Sequence, residues 1–279
     1  MEDTEVLDYY PGGSSFPLLV RQGSRKYFVK LRAGMSGEYA LLNEWFANRL
    51  GHILGLNTRM PVWIRLSEEL KYDHLYIEVR KLIEKSMGLN IAFEYVENAV
   101  PADLGCLPAA FAEMEEEVYL LDLFLLNTDR STSNHNLLKT DRDEILVTDF
   151  DSCLLFPGML RSTDLSADPR VLQCLRTHPF YRKIGPESLS RFITRMNGVD
   201  FRAIIEEIPE EVLDRPGGQV ILKALNEKKE RNWDLDDLLR KLEALTPETE
   251  EERNLRIKKN REKLEALVSS SAKKRIPEP

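Results

Sequence analysis

Asn127-Thr128-Asp129-Arg130-Ser131-Thr132-Ser133-Asn134-His135-Asn136-Leu137-Leu138 is followed, after a polar turn, by Val147-Thr148-Asp149-Phe150-Asp151. An acid opens a polar loop, a carboxamide closes it, and a hairpin then delivers a second acid. Phosphoryl transfer needs such a set. The first acid orients an acceptor hydroxyl and takes its proton, while the carboxamide and the second acid hold magnesium against phosphate oxygens. Magnesium prefers hard oxygen ligands and keeps several waters, so a few protein ligands suffice.

Working outward, Phe111, Met114, Val118, Leu121 and Leu125 recur on one side of a helix that ends near Asn127. After the loop come the pair Leu137-Leu138, a turn at Thr140 to Asp143, and a strand from Ile145 to Phe150. Upstream, Leu18 to Val20 and the alternating run Tyr27 to Arg32 flank a turn at Gly23, which predicts a hairpin. Phe28, Lys30 and Arg32 share one face of it, and Tyr27, Val29 and Leu31 share the other. A helix is expected from Glu38 to Leu54, stopped by Gly55, with strands at Pro61 to Leu66 and Leu75 to Val79. From Pro186 onward the pattern is helical, punctuated by Pro209, Pro216-Gly217-Gly218 and Pro247. The expectation is an α+β chain, β-β-α-β-β and then helices.

Lys30 stands mid-strand between Val29 and Leu31, placed to reach phosphate oxygens in a cleft, and Glu44 on the next helix can pair with it. Before both comes Gly12-Gly13-Ser14-Ser15, whose small side chains let backbone N–H groups approach a phosphate. Singly, each feature has a plainer reading. A strand lysine is commonly solvated, the Gly-Ser stretch can be a flexible lead-in, and Asp129 and Asn134 can cap turns. Glu44 can pair within its own helix. It is their order along the chain that points to one nucleotide-binding architecture.

That order resembles the HipA-like kinase family, closest to its compact bacterial branch. The likeness rests on Gly12-Gly13-Ser14, Val29-Lys30, Leu42-Asn43-Glu44-Trp45-Phe46, Asp129-Arg130, Asn134-His135-Asn136-Leu137-Leu138 and the strand to Asp149. The late stretch Ile208 to Leu213 and the charged run to Trp233 extend it, from about Gly12 to Leu245. The resemblance implies a two-lobed protein-kinase-like fold with a small β-rich N-lobe (residues 1–80) and a larger, mostly helical C-lobe (residues 81–279). The C-lobe would carry a charged helical tail from about residue 246. It implies that ATP and Mg2+ occupy the cleft, with Gly12 to Ser15 over the phosphates, Lys30 on the α/β-phosphates and Glu44 anchoring Lys30. Asp129 would be the catalytic acid/base and Asp149 a metal ligand. The carboxamide ligand is Asn136 if the loop is lengthened, or Asn134 by the usual kinase spacing. Three departures stand out: no histidine precedes Asp129, the Gly12 loop lacks the long glycine pattern of protein kinases, and Asp151 replaces a common glycine.

The 279 residues carry a net charge of -8, which disfavours direct contact with nucleic acid or an anionic membrane, and the basic cluster Lys273-Lys274-Arg275 is too short to reverse that. Three scattered cysteines, Cys106, Cys153 and Cys174, fit a reducing compartment. An acidic start without an apolar core and the shortness of every apolar run complete the expectation of a cytoplasmic protein. The expected acceptor is a protein Ser/Thr hydroxyl, with a small molecule as the alternative. A regulatory pseudokinase that meets a partner protein through its helical lobe is the competing class.

Overall fold

The hairpin forms where alternation and a turn glycine coincide. β2 (Leu18–Gln22) and β3 (Arg25–Lys30) pair antiparallel, and Gly23 takes the positive φ of 59° that the turn requires. The computed structural model describes residues 4–11, 16–35, 39–161, 163–213 and 217–245. Contacts group Met1–Glu243 into one unit and Ala244–Pro279 into a second, and most of the second, the charged tail included, lies outside the described residues.

A strand that composition alone did not indicate, β1 (Thr4–Tyr9), pairs with β2. Only Val6 of it is buried, so it shows no apolar alternation. Helix α1 (Ala40–Ile53) occupies the expected stretch and closes with Gly55 at φ 80°, while Glu38 lies outside the described residues. β4 (Pro61–Leu66) follows as expected. The strand expected over Leu75 to Val79 is instead the lead-in to a helix, α2 (Ile77–Lys85). Val79 and Ile83, one helical turn apart, are its buried positions, which is helix periodicity rather than strand alternation.

The next strand, β5 (Gly88–Glu94), is buried at five successive residues, Leu89 to Phe93. It lies between β3 and β4 in a wholly antiparallel sheet of order β1-β2-β3-β5-β4. The β-rich part therefore runs on to Glu94, beyond residue 80. Val6, Leu18, Val20, Val29, Leu31, Ile64 and Leu66 pack with Val79 and Ile83 of α2 as one apolar cluster.

The remainder is mainly helical. After β6 (Val100–Pro101) come the short α3 (Ala109–Ala112) and the buried α4 (Glu115–Leu125), so the single helix expected here is broken near Glu113. β7 (Leu137–Lys139) and β8 (Ile145–Val147) complete a second sheet, β6-β7-β8. β8 stops at Val147, short of Phe150, because Asp149 turns the chain at φ 66°. Helices α5 (Leu155–Leu160), α6 (Pro169–Arg176), α7 (Pro186–Asn197), α8 (Phe201–Glu206), α9 (Glu210–Leu213), α10 (Gly218–Glu230) and α11 (Leu235–Ala244) follow. No described helix is long and apolar enough to cross a membrane.

The connection from α1 to β4 reaches the second sheet directly. Thr58 forms a parallel bridge to Val147, and Val147 N donates to Asn57 O at 3.0 Å. This contact sets α1 and the β8 terminus side by side.

Candidate active site

Alternation along β3 sends Val29 into the core and Lys30 to the opposite face, where its side chain is only 10% exposed. Its Nζ lies 2.7 Å from Asp149 Oδ1 and 3.1 Å from Glu44 Oε1. Glu44, 1% exposed on α1, also accepts from Phe150 N through Oε2 at 2.8 Å. The neighbouring Asn43 donates through Nδ2 to Asp151 O at 3.0 Å and to Cys153 O at 2.7 Å. Two consecutive residues of α1 thus hold the backbone that follows the second acid.

The electrostatics follow from this packing. Burial alone would lower the Lys30 pKa, but Asp149, then Glu44 and Asp151, outweigh it and hold the ammonium well above its ordinary value. Lys30 in turn holds the Asp149 carboxyl below the usual carboxylate range. Burial pushes Glu44 up, with Lys30 pulling the other way.

A cavity of about 560 Å³ opens onto this cluster. Lys30, Glu44, Thr148 and Asp149 form a polar part of its wall. Phe28, Phe93, Tyr95, Val96 and Leu138 supply apolar surface. Tyr10 packs on Phe28 with ring centroids 5.3 Å apart, and burial together with the Tyr95 hydroxyl pushes its pKa up to about 12.

Asp129 sits on the loop after α4 and is not among the residues lining that cavity. Two carboxamides hold one of its oxygens: Asn134 Nδ2 at 2.8 Å and Asn136 Nδ2 at 3.0 Å from Oδ2. Both candidates for the carboxamide ligand therefore flank the same acid. Asn136 is also tied to the cavity wall, because its carbonyl accepts from Thr148 N and Thr148 Oγ1, each at 3.0 Å. His135 turns back locally, its Nδ1 accepting from Leu137 N at 3.4 Å. Gly12, Gly13, Ser14 and Ser15 lie outside the described residues. On their flanks, Tyr10 N donates to Pro17 O at 2.8 Å.

Reading by residue type missed the group that holds this loop in place. Arg130, fully buried, donates through Nη1 to His135 O (2.8 Å) and Asn136 O (2.9 Å), and through Nη2 to Thr148 O (3.2 Å). Its Nε meets Asp122 Oδ2 at 2.5 Å. Asp122, on α4, also receives Asn127 Nδ2 at 2.8 Å and lies 2.9 Å from His178 Nε2. Burial alone would raise the Asp122 carboxyl, yet Arg130 and His178 hold it below its ordinary value. The Asp-Arg adjacency at 129–130 is the one local signal for this cluster. Nothing local marks Asp122 or His178.

The donor set suits magnesium better than a softer ion. Among the described residues no group of three or more His, Cys, Asp and Glu side chains converges as a metal cluster. Asp149 and a carboxamide oxygen are hard oxygen donors of the kind that holds magnesium together with phosphate oxygens and water.

No curated protein matches the chain. Among solved structures, the proinflammatory kinase CtkA of Helicobacter pylori is similar at 14% identity and a TM-score of 0.47, over 86% of this chain and 97% of that one. A MAP kinase from Leishmania major is similar at 11% identity and a TM-score of 0.26, over 88% and 84%. The family of HipA-like kinases matches residues 4–166, more than half of the chain and a span that takes in Lys30, Glu44, Asp129 and Asp149. The chain belongs to the HipA-like kinase family, a family of kinase-like phosphotransferases.

Proposed function

We propose that this chain transfers the γ-phosphoryl group of ATP, with magnesium, to a Ser/Thr hydroxyl of a protein. The observation that carries the reading is the Lys30–Glu44–Asp149 cluster on the wall of a cavity that also offers aromatic surface for a base. The sheet with α1 and α2 forms the smaller lobe of this proposal, and the helical remainder forms the larger.

In the reaction, the acceptor oxygen bonds to the γ-phosphorus, the bond from that phosphorus to the bridging oxygen breaks, and ADP departs with the electron pair. Asp129 takes the acceptor's proton on Oδ1, since the two carboxamides occupy its Oδ2. Lys30, aimed by Glu44, binds α/β-phosphate oxygens. Asp149 and Asn136 would hold the metal, with Asn134 the competitor for the second position. Asn136 is favoured because its carbonyl is bonded to Thr148, next to Asp149. Bound there, magnesium would supply neutralisation of phosphate charge. Positioning and charge neutralisation supply most of the rate.

A second reading, nucleotide binding without turnover, is favoured by one observation: Asp129 is absent from the cavity wall. Single-turnover assays separate the two. Asp129→Asn is expected to cut ATP consumption by about 10²–10⁴-fold and leave nucleotide affinity nearly unchanged, whereas Asp149→Asn weakens magnesium-dependent nucleotide binding. Wild-type consumption in both variants would refute the assigned roles. Intact mass after incubation with ATP, with and without candidate proteins or small alcohols, reports which acceptor gains a phosphoryl group.

A further inference from the structure

Asp129 is held from two directions, and only one of them involves its carboxylate. Asn134 and Asn136 fix the Oδ2 oxygen, whereas the peptide N–H of Asp129 donates to Asn127 Oδ1 at 3.2 Å. That second bond closes a turn from a side chain to the backbone two residues on. It sets the direction in which the chain enters Asp129.

Asn127 is 1% exposed, and both ends of its amide are engaged. Its Nδ2 donates to Asp122 Oδ1 at 2.8 Å. A carboxylate can only accept, so the amide must turn Nδ2 towards Asp122 and Oδ1 towards Asp129 N. The backbone here is pinned as well: Asn127 N donates to Asp122 O at 2.9 Å, and Asn127 forms an antiparallel bridge with Cys153.

Asp122 is itself fixed. Its Oδ2 lies 2.5 Å from Arg130 Nε and 2.9 Å from His178 Nε2, which leaves Oδ1 to Asn127. Arg130 in turn reaches the far end of the loop, at His135 O and Asn136 O. Both ends of the loop therefore take their bearing from one buried carboxylate on α4. At position 127 the neighbours demand a donor and an acceptor on one rigid group. Leucine would supply neither, and aspartate would set two carboxylates face to face.

We propose that Asn127 is a positioning residue for phosphoryl transfer, its amide relaying the orientation of Asp122 on α4 to the proton acceptor Asp129. This rests on the reading of Asp129 as the base. It adds a buried residue that touches neither nucleotide nor acceptor hydroxyl and still sets the rate. The plainer alternative is a side chain that only closes the end of α4.

The test is single-turnover ATP consumption by the full chain with magnesium over a range of ATP concentrations, with isothermal titration of ADP beside it. Asn127→Leu is expected to lower the maximal rate about 10–100-fold, the scale of a small misplacement of a catalytic group. Half-saturating ATP and ADP affinity should stay within about twofold of wild type. Exchanging the pair, Asp122→Asn with Asn127→Asp, lets amide and carboxylate change places. The new amide can donate to the new carboxylate, whose other oxygen still accepts from Asp129 N, and its own oxygen still faces Arg130 and His178. The exchange should recover most of the rate that Asn127→Asp alone loses. Melting curves show which variants fold, and either arm decides alone. A wild-type rate in Asn127→Leu, a parallel loss of ADP affinity, or a folded exchange no faster than Asn127→Asp overturns the positioning role and leaves the kinase reading standing. Unchanged consumption in Asp129→Asn, or none in the wild-type chain, overturns that reading and the relay with it.

Discussion

Replacing Arg130 with methionine removes the cation at the centre of the loop and keeps an apolar stem of similar length. Wild-type Arg130 makes an ion pair with Asp122 and three hydrogen bonds to the carbonyls of His135, Asn136 and Thr148, all fully buried on its own side. Asn136 O retains Thr148 as a donor, so the loss falls on Asp122, His135 O and Thr148 O. Removing one partner of a buried ion pair costs about 3–5 kcal/mol, because the other charge stays buried without compensation. For a domain of this size that is a drop in melting temperature of roughly 6–20 °C. The penalty should also depend on pH. Phe180 N donates to His178 Nδ1 at 3.1 Å, which places the ring proton on Nε2, facing Asp122. Burial holds His178 below its ordinary pKa; Asp122 pulls it up and Arg130 pushes it down. With its folded pKa below the unfolded value of about 6.5, wild-type His178 costs stability as pH falls through that value. In Arg130→Met the downward push is gone and Asp122 remains, so the His178 pKa rises and a proton there offsets part of the lost charge. Once it exceeds the unfolded value, the contribution is present below about pH 6.5 and lost as pH rises through the new folded pKa. Urea unfolding at about pH 5.5 and about pH 8 reads both effects, with the larger penalty expected at the higher pH. A penalty below about 1 kcal/mol, the range of a surface pair, or one that grows on acidification, would refute this account of the cluster.

Two further outcomes follow from packing. A Cβ on Gly51 of α1 would stand 2.5 Å from Thr58 Cγ2 and 3.3 Å from Leu121 Cδ2, and Thr58 cannot readily give way because its hydroxyl donates to Asn48 O at 2.7 Å. Gly51→Ala should therefore destabilise by about 1–3 kcal/mol through overpacking, despite the better helix propensity of alanine. Adding Thr58→Ser, which removes Cγ2 and keeps the hydroxyl, should recover most of the melting temperature. Burial, reinforced by Asp122 and Glu44, holds the Cys153 thiol far above its ordinary pKa, whereas Cys106 is exposed. Cys153 should stay silent to a disulfide reagent in the native protein and react only after denaturation, Cys106 reacting at once; mass mapping of the labelled sites checks this.

The residues of the candidate site are legible because each announces itself over a few neighbours. Alternation around Val29 and Leu31 sets Lys30 apart, and the polar run from Asn127 to Asn136 stands out between a helix and an apolar pair. Where the local signal failed, the reason is physical. β1 was invisible because an edge strand with one buried residue, Val6, has no apolar face to read. β5 was missed for the opposite reason: a strand buried at five successive positions gives a short apolar run without alternation, which periodicity does not separate from a helix. Leu75 to Val79 reads as a strand because five residues are too few to show the helical Val79–Ile83 spacing.

What the sequence could not show is how the site is held. Three non-glycine residues around it, Leu126, Asn136 and Asp149, have φ of 52°, 50° and 66°. Asn and Asp tolerate this region, but for a residue such as leucine it costs roughly 1–2 kcal/mol. Such backbone persists only where surrounding contacts over-determine it. Each of the three has its tether. Leu126 O accepts from Leu154 N, Asn136 O accepts from Arg130 and Thr148, and the peptide after Asp149 donates to Glu44. Those tethers cross long stretches of chain: 106 residues separate Glu44 from Phe150, and 56 separate Asp122 from His178. Chemistry-bearing residues cluster in sequence because loops carry them, whereas the groups that fix their geometry come from whichever helix the fold packs behind the loop. The backbone around Asp129 and Asp149 therefore takes its shape from buried polar side chains on α1 and α4, Asn43 holding the carbonyls of Asp151 and Cys153 and Asp122 holding Arg130.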